Sequence, residues 1–337
     1  MQVLDPGDAT VAGYATVAAV STDPAEARVR PWSDRADAGQ AAAELCAAAA
    51  RTVGVHPTDL EWVRQGERAV LRMDGGRVIA RVERPGVGRA DAAREIAVTR
   101  WLSENGIPVT HPLPVDQPVV EDGVVVTFWY GLTGGPGTTA QLGDLLRRIH
   151  ALEPPAELSH PAQPFMRLRT RIAKASGLDE TDRAVLDDAL TATVAAYDVL
   201  VERLTPGFVH GDAACHNVLS TADGPVVFDL EYSGWGHREW DLAQTATYRD
   251  LGWVSEAGYR DFEHAYGRDV REFDGYPILR RARLLREVTG LARRIAATRD
   301  PALRAEIHRR ITDLAGDGPP GGWLHHPPSD DRQGGLR

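Results

Sequence analysis

The chain has 337 residues, enough for two lobes with sizeable cores, and 43% hydrophobic with 26% charged residues is the balance of an ordinary globular protein. A formal charge of −10 argues against nucleic acid as a partner, and no apolar run is long enough for a membrane helix. Two distant cysteines, Cys46 and Cys215, and an N-terminus with neither a basic start nor an apolar core point to the cytoplasm, without a disulfide framework or a signal peptide.

Residues 1–36 read as an irregular extension, rich in Pro, Gly and small polar residues. The Ala-rich stretch 39–53 predicts a helix that Gly54 stops. From Leu60 the period changes. Short apolar runs at 61–64, 69–73 and 77–83, separated by Gln65-Gly66-Glu67-Arg68 and Asp74-Gly75-Gly76, predict an antiparallel meander; a βαβ dinucleotide fold is not expected. A helix follows over 88–105, ended by Asn105-Gly106. Val119-Val120 and Val124–Tyr130 (VVVTFWY) close the sheet as strands. The segment 131–137 (GLTGGPG) is a hinge-like linker, and beyond it helices are predicted over 140–152, 181–204, 239–248, 256–266, 276–298 and 301–313. Residues 317–337, rich in Pro, Gly and Asp, read as a disordered tail.

One stretch carries the chemistry. Residues 208–243 crowd His210, Asp212, His216, Asn217, Asp229, Glu231, His237 and Asp241 between short apolar runs. Val218-Leu219, the Asp223-Gly224 turn and Pro225–Phe228 form a predicted hairpin that returns Asp229 to the loop bearing Asp212 and Asn217. Two carboxylates and an amide at strand ends make a hard-oxygen site, suited to Mg²⁺ more than to Zn²⁺. The bland reading is a polar turn cluster of caps and Asx-turns. A zinc reading through His210, Asp212, Cys215 and His216 fits no usual structural zinc spacing.

His210-Gly211-Asp212, with Asn217 five residues after the aspartate, resembles the HGDxxxxN catalytic loop of the aminoglycoside phosphotransferase and choline kinase-like family. Asp229 in DLE and Asp241 in WDLA fall where that family has its metal-binding and buried aspartates. The resemblance runs over about residues 40–315. It implies an α+β, protein-kinase-like two-lobe fold: a small antiparallel-sheet N-lobe over 37–130 that binds nucleotide, and a larger, mainly helical C-lobe over 131–316.

By the same resemblance, Asp212 accepts the proton of an acceptor hydroxyl, Asn217 and Asp229 ligate Mg²⁺, and His210 and Asp241 brace the loop. Arg81 takes the place of the kinase strand lysine, with Glu95 as its partner. Arg suits phosphate oxygens as a fork, where Lys acts as a point charge. The turn at Gly66 carries one glycine, so phosphates rest on a short backbone turn and Arg68. Phe128, Trp129 and Tyr130 correspond to the strand whose backbone pairs with adenine. Glu231, Trp235 and His237 are candidates for the substrate side, Glu231 as a receiver of amines; core packing is the bland reading for the aromatics. The implied activity is phosphorylation of a small-molecule hydroxyl by ATP or GTP with Mg²⁺, the acceptor being an antibiotic or a sugar-like metabolite. The single-glycine turn and Arg81 motivate an alternative, a pseudokinase-like module that holds nucleotide or ligand without transfer.

Overall fold

A computed structural model of the chain describes residues 38–65, 68–83, 86–292, 300–316 and 322–325. The expected extension at 1–36, Gly66, and all of the expected tail except 322–325 lie outside the described residues.

The first helix, α1 (Ala38–Thr52), buries Ala41, Ala42, Cys46, Ala49 and Ala50 at helical spacing. These short side chains let it lie close on the sheet, against Leu71, Met73, Ala80 and Phe128. The strands are β1 (Glu61–Gln65), β2 (Ala69–Met73), β3 (Val78–Val82), β4 (Val119–Glu121) and β5 (Val124–Tyr130), joined in the order β1-β2-β3-β5-β4. Every pairing is antiparallel, with Arg81 opposite Thr127 and Ala80 opposite Phe128. Helix α2 (Arg89–Glu104) sends Val98, Trp101 and Leu102 into the core of the second lobe and buries Glu95 beside Ile96.

The linker is tied down. Gly135–Pro136 (β6) pairs with Val218–Thr221 (β8), and β8 pairs with Gly224–Val227 (β9), so the hinge is stitched to the predicted hairpin. Beyond it come α3 (Thr139–Ile149), α4 (Leu168–Lys174), α5 (Glu180–Leu200), α6 (Arg238–Asp250), α7 (Glu256–Tyr266), α8 (Tyr276–Ala292) and α9 (Pro301–Ala315). One apolar core joins α2, α3, α6, α7 and the start of α8; a second is shared by α4, α5, α8 and α9. Trp323, inside the stretch expected to be disordered, is buried in the second core, where Trp253 donates to its carbonyl. Within 322–325 this one large apolar side chain is the contact with the helical lobe's core.

Two elements have no signal in the sequence pattern. Helix α4 is short and starts after Arg167, whose φ of 69° lies in the left-handed region. Strand β10 (Gly234–His237, GWGH) has glycine at two of its four positions and exists because it pairs with β7 (Pro206–Val209). Its Gly234 is required by close approach, since a Cβ there would lie 2.6 Å from the carbonyl oxygen of His160. Among the described residues no helix is long and apolar enough to cross a membrane.

Candidate active site

Strand β7 delivers His210 and Gly211 to the first turn of α6, where their backbone N–H groups donate to the two carboxylate oxygens of Asp241 at 2.7 and 2.9 Å. His150 Nε2 donates to the same carboxylate at 3.1 Å, and its Nδ1 lies 2.9 Å from the Tyr266 hydroxyl. Burial would push the Asp241 carboxyl up, but the His150 hydrogen bond and the charges around it hold it below the ordinary value. Arg283 stacks on Trp240 with its guanidinium carbon 3.8 Å from the ring centroid and donates to the Trp240 carbonyl. Its complete burial pulls that guanidinium down to about 10. Gly211 has φ +83°, and a Cβ there would stand 2.2 Å from the Tyr232 carbonyl oxygen. The glycine of His-Gly-Asp is thus a steric requirement of the fold.

His210 holds both sides of the loop: Nδ1 accepts from the Asp212 N–H at 3.3 Å, and Nε2 donates to the Phe228 carbonyl at 3.0 Å. Asp212 presents a partly exposed carboxylate, with Oδ1 3.4 Å from Gln244 Nε2 and 3.7 Å from Arg286. Asn217 is buried; its side-chain amide nitrogen donates to the Asp212 backbone carbonyl at 2.9 Å, and its backbone carbonyl accepts from Phe228 N–H at 3.1 Å. The hairpin then ends at Asp229, in a left-handed conformation (φ 65°, ψ 57°) that costs about 1 kcal/mol for a residue with a Cβ. Asp212, Asn217 and Asp229 are therefore linked through a few hydrogen bonds within one loop and one hairpin.

The opposite wall comes from the sheet. Arg81 Nη1 meets Glu95 Oε1 at 2.7 Å, and its guanidinium lies over Trp129, 4.5 Å from the ring centroid. Arg68 is buried among four carboxylates, at 3.4 Å from Glu83, 3.5 Å from Glu95, 3.2 Å from Asp229 and 2.7 Å from Glu231. A group expected to meet phosphates thus spans the cleft to the metal-ligand candidate itself. Burial pushes Glu83 up to about 7, with Arg68 opposing and Glu95 and Glu231 adding to the rise. Burial likewise raises Glu231, against the pull of Arg68. Arg94 on α2 donates to the carbonyls of Glu231 and Ser233 at 2.7 and 2.8 Å, which fixes the turn after Asp229 to the first lobe.

Other expected site residues fall elsewhere. Phe128 is fully buried beneath the sheet and Trp129 supports Arg81, while Tyr130 is exposed at the strand end. Trp235 and His237 line a cavity of about 270 Å³ with Tyr197, Pro206 and Trp240, and His237 Nδ1 lies 3.1 Å from the Tyr197 hydroxyl. That cavity lies against β7 and β10, and neither Asp212 nor Asp229 lines it. Pattern reading missed Arg286, Gln244, Arg167, Arg171 and Tyr232, all of which touch Asp212, Glu231 or one another. Only the abundance of arginine in a chain with one lysine hinted at them.

The metal reading can be tested on the donor set. Among the described residues no group of three His, Cys, Asp or Glu side chains is arranged to hold a metal ion, which leaves the zinc set without support. Asn217, with its amide nitrogen committed to Asp212, and the Asp229 carboxylate offer oxygen donors. Two such donors, completed by phosphate oxygens and water, fit Mg²⁺.

The family model described as "Phosphotransferase enzyme family" matches residues 62–280. Comparison with curated proteins returns no match. Among solved structures, an amicoumacin kinase in complex with AMP-PNP, Ca²⁺ and Ami superposes with TM-score 0.62 at 14% identity, covering 79% of this chain and 90% of that one. A spectinomycin phosphotransferase in complex with ADP and spectinomycin gives 0.56 at 13% identity, covering 86% and 98%. A choline/ethanolamine kinase family protein from Mesorhizobium loti gives 0.54 at 20% identity, covering 82% and 93%. The match extends from the meander, through the loop of Asp212 and the hairpin of Asp229, into α8, and on that extent the chain belongs to the phosphotransferase enzyme family.

Proposed function

We propose that this chain transfers the γ-phosphoryl group of ATP or GTP to a hydroxyl of a small molecule, with Mg²⁺. One observation carries the reading: the Asp212 carboxylate stands at the cleft while Asn217, bonded to the Asp212 carbonyl, and Asp229, at the end of the same hairpin, supply oxygen donors beside it. Phosphoryl transfer asks for little covalent work by the protein and mainly for positioning and charge.

Asp212 accepts the proton of the acceptor hydroxyl as its oxygen forms a bond to the γ-phosphorus. The bond from that phosphorus to the bridging oxygen breaks, and the nucleoside diphosphate leaves with the electron pair. Gln244 orients the base through Oδ1. Asn217 and Asp229 would hold the metal, which would supply positive charge to the phosphate oxygens. Arg81, braced by Glu95 and Trp129, faces the phosphates with its remaining donors. The N–H groups of Phe128 and Tyr130 are committed to Gln117 and His111. Adenine or guanine therefore meets the next backbone groups, the Tyr130 carbonyl and the Leu132 N–H, on residues 47% and 44% exposed.

The test is a phosphate-transfer screen with ATP and GTP across aminoglycosides, nucleoside antibiotics, macrolides, sugars and hydroxy acids. Asp212→Asn should lower turnover by about 10²- to 10⁴-fold while nucleotide affinity stays within about threefold. Retained turnover in that variant removes Asp212 from its role. Nucleotide binding without transfer to any acceptor, and without slow Mg²⁺-dependent hydrolysis, favours the binding-module alternative.

A further inference from the structure

Both polar contacts that the Asp212 carboxylate makes with side chains fall on one oxygen. Gln244 Nε2 lies 3.4 Å from Oδ1, and Arg286 Nη2 lies 3.7 Å from the same atom. Among the described residues Oδ2 meets no polar side chain. The Asp212 side chain is 28% exposed and that of Arg286 only 8%, so a cleft-facing carboxylate is backed by a buried cation.

Arg286 has little freedom of its own. It projects from α8, and its guanidinium carbon lies over the Tyr232 ring at 4.2 Å from the centroid. A guanidinium on an aromatic face is held by the ring's quadrupole, and the N–H groups at its edge remain for a carboxylate. The ring is fixed in turn. Its hydroxyl accepts from Arg167 Nη1 at 3.0 Å and lies 3.5 Å from Arg171 Nη2, while Arg94 of α2 donates to the carbonyls of Glu231 and Ser233 on either side.

We propose that Arg286, seated on Tyr232, is the positioning residue of the base: it fixes the rotation of the Asp212 carboxylate, so that Oδ1 stays with the protein and Oδ2 faces the acceptor hydroxyl. The proposal rests on the kinase reading and adds to it a residue that acts through Asp212. The last torsion of an aspartate is broad, without a sharp staggered well, and a partly exposed carboxylate would turn its oxygens through many directions. Two contacts on one oxygen remove that freedom. Gln244 supplies a long, neutral contact, whereas a buried guanidinium charge still attracts the carboxylate at 3.7 Å. In-line transfer depends on how the acceptor oxygen is aimed, and a misplacement of about 1 Å costs about 10²-fold in rate.

The experiment has two arms, both on the full chain. Urea unfolding without nucleotide reads the pair itself, through Asp212→Asn, Arg286→Gln and the double variant. Asp212→Asn should lower the midpoint where Arg286 is present, and should leave it level or raise it in the Arg286→Gln chain. Equal shifts in the two backgrounds overturn the pairing.

The second arm follows phosphate release from ATP with Mg²⁺, water serving as the acceptor, together with AMP-PNP affinity. Arg286→Gln should lower turnover about 10- to 100-fold with AMP-PNP affinity within about twofold, a split that general damage to the cleft does not produce. Tyr232→Leu removes the ring and should lower turnover in the same way; Tyr232→Phe restores the stacking face and should recover most of that loss. Should Arg286→Gln fail to fold, Arg286→Met, which keeps an unbranched stem against the ring, takes its place in both arms. Undiminished turnover in the Arg286 variant, an equal fall in AMP-PNP affinity, or no recovery in Tyr232→Phe overturns the positioning role. A wild-type chain that releases no phosphate counts against the kinase reading instead, and the urea cycle then decides the pair alone.

Discussion

The guanidinium of Arg68 lies 3.2 Å from the Asp229 carboxylate, so a side chain of the sheet lobe and the metal-ligand candidate of the helical lobe form a pair across the cleft. Glu83, Glu95 and Glu231 surround the same guanidinium. Arg68→Gln would leave these carboxylates without their shared cation and should destabilise the nucleotide-free chain by roughly 3–5 kcal/mol, read from urea unfolding. On the proposed metal site, Mg²⁺ with AMP-PNP would bring positive charge to Asp229 and should raise the variant's Tm more than that of the wild type. An equal rise in both proteins would show that Arg68 and the metal do not share Asp229.

The roles proposed for Asn217 and Asp229 can be separated from that proposed for Asp212 by their metal dependence. Asn217→Ala and Asp229→Asn should each shift the Mg²⁺ midpoint for AMP-PNP binding upward by about tenfold or more, because each removes an oxygen donor. A binding titration followed by fluorescence reads this without turnover. Unchanged midpoints in both variants would reject the metal assignment.

Asp241 organises the loop without facing the cleft. Its carboxylate accepts from two backbone N–H groups and from His150 in full burial. Asp241→Asn replaces one acceptor oxygen by a donor, leaves a backbone N–H facing an amide NH₂, and should cost about 3–5 kcal/mol. The Gly211 N–H should exchange with solvent faster in this variant. Wild-type stability would mean that the loop is held by β7 and β10 alone.

Glu83 gives the nucleotide-free chain a pH signature. Burial lifts its carboxyl from the ordinary 4.5 to about 7, so between those values the folded state binds more protons than the unfolded one. Stability from this group is therefore present below about 4.5 and falls as pH rises to about 7, by roughly 3 kcal/mol. Glu83→Gln should flatten the decline between pH 5 and 7, a range of about two pH values set by that same rise. Urea midpoints across the range measure it, and an unaltered slope would place the titration elsewhere.

Local patterns made much of the fold and half of the site readable. The two-residue connection Ala222-Asp223 sets the register that pairs Thr221 with Gly224 and Val218 with Val227, and the Phe228 N–H then meets the Asn217 carbonyl just before Asp229. Alternation and turn residues marked the meander, and Arg81 and Glu95 could be paired because each belongs to a regular element of known order. Strand β10 and helix α4 could not be read. Gly234–His237 becomes a strand only when β7 lies beside it, and α4 begins at a left-handed Arg167 that no propensity anticipates. Trp235 and His237 are close in sequence to Glu231, yet the β10 pairing turns them to another cavity.

Sequence by itself determined the meander, most of the helices, the hairpin and the spacing of His210, Asp212, Asn217 and Asp229, because turns, hydrophobic period and short-range register are local. Tertiary structure decided which cations stand against those carboxylates. Arg68 arrives from the β1–β2 turn to meet Asp229 and Arg286 from α8 to approach Asp212, across separations of many tens of residues. Charge pairing over such distances depends on how lobes and helices pack, and no periodicity records it. That packing sets Glu231 against Arg68 and Arg167.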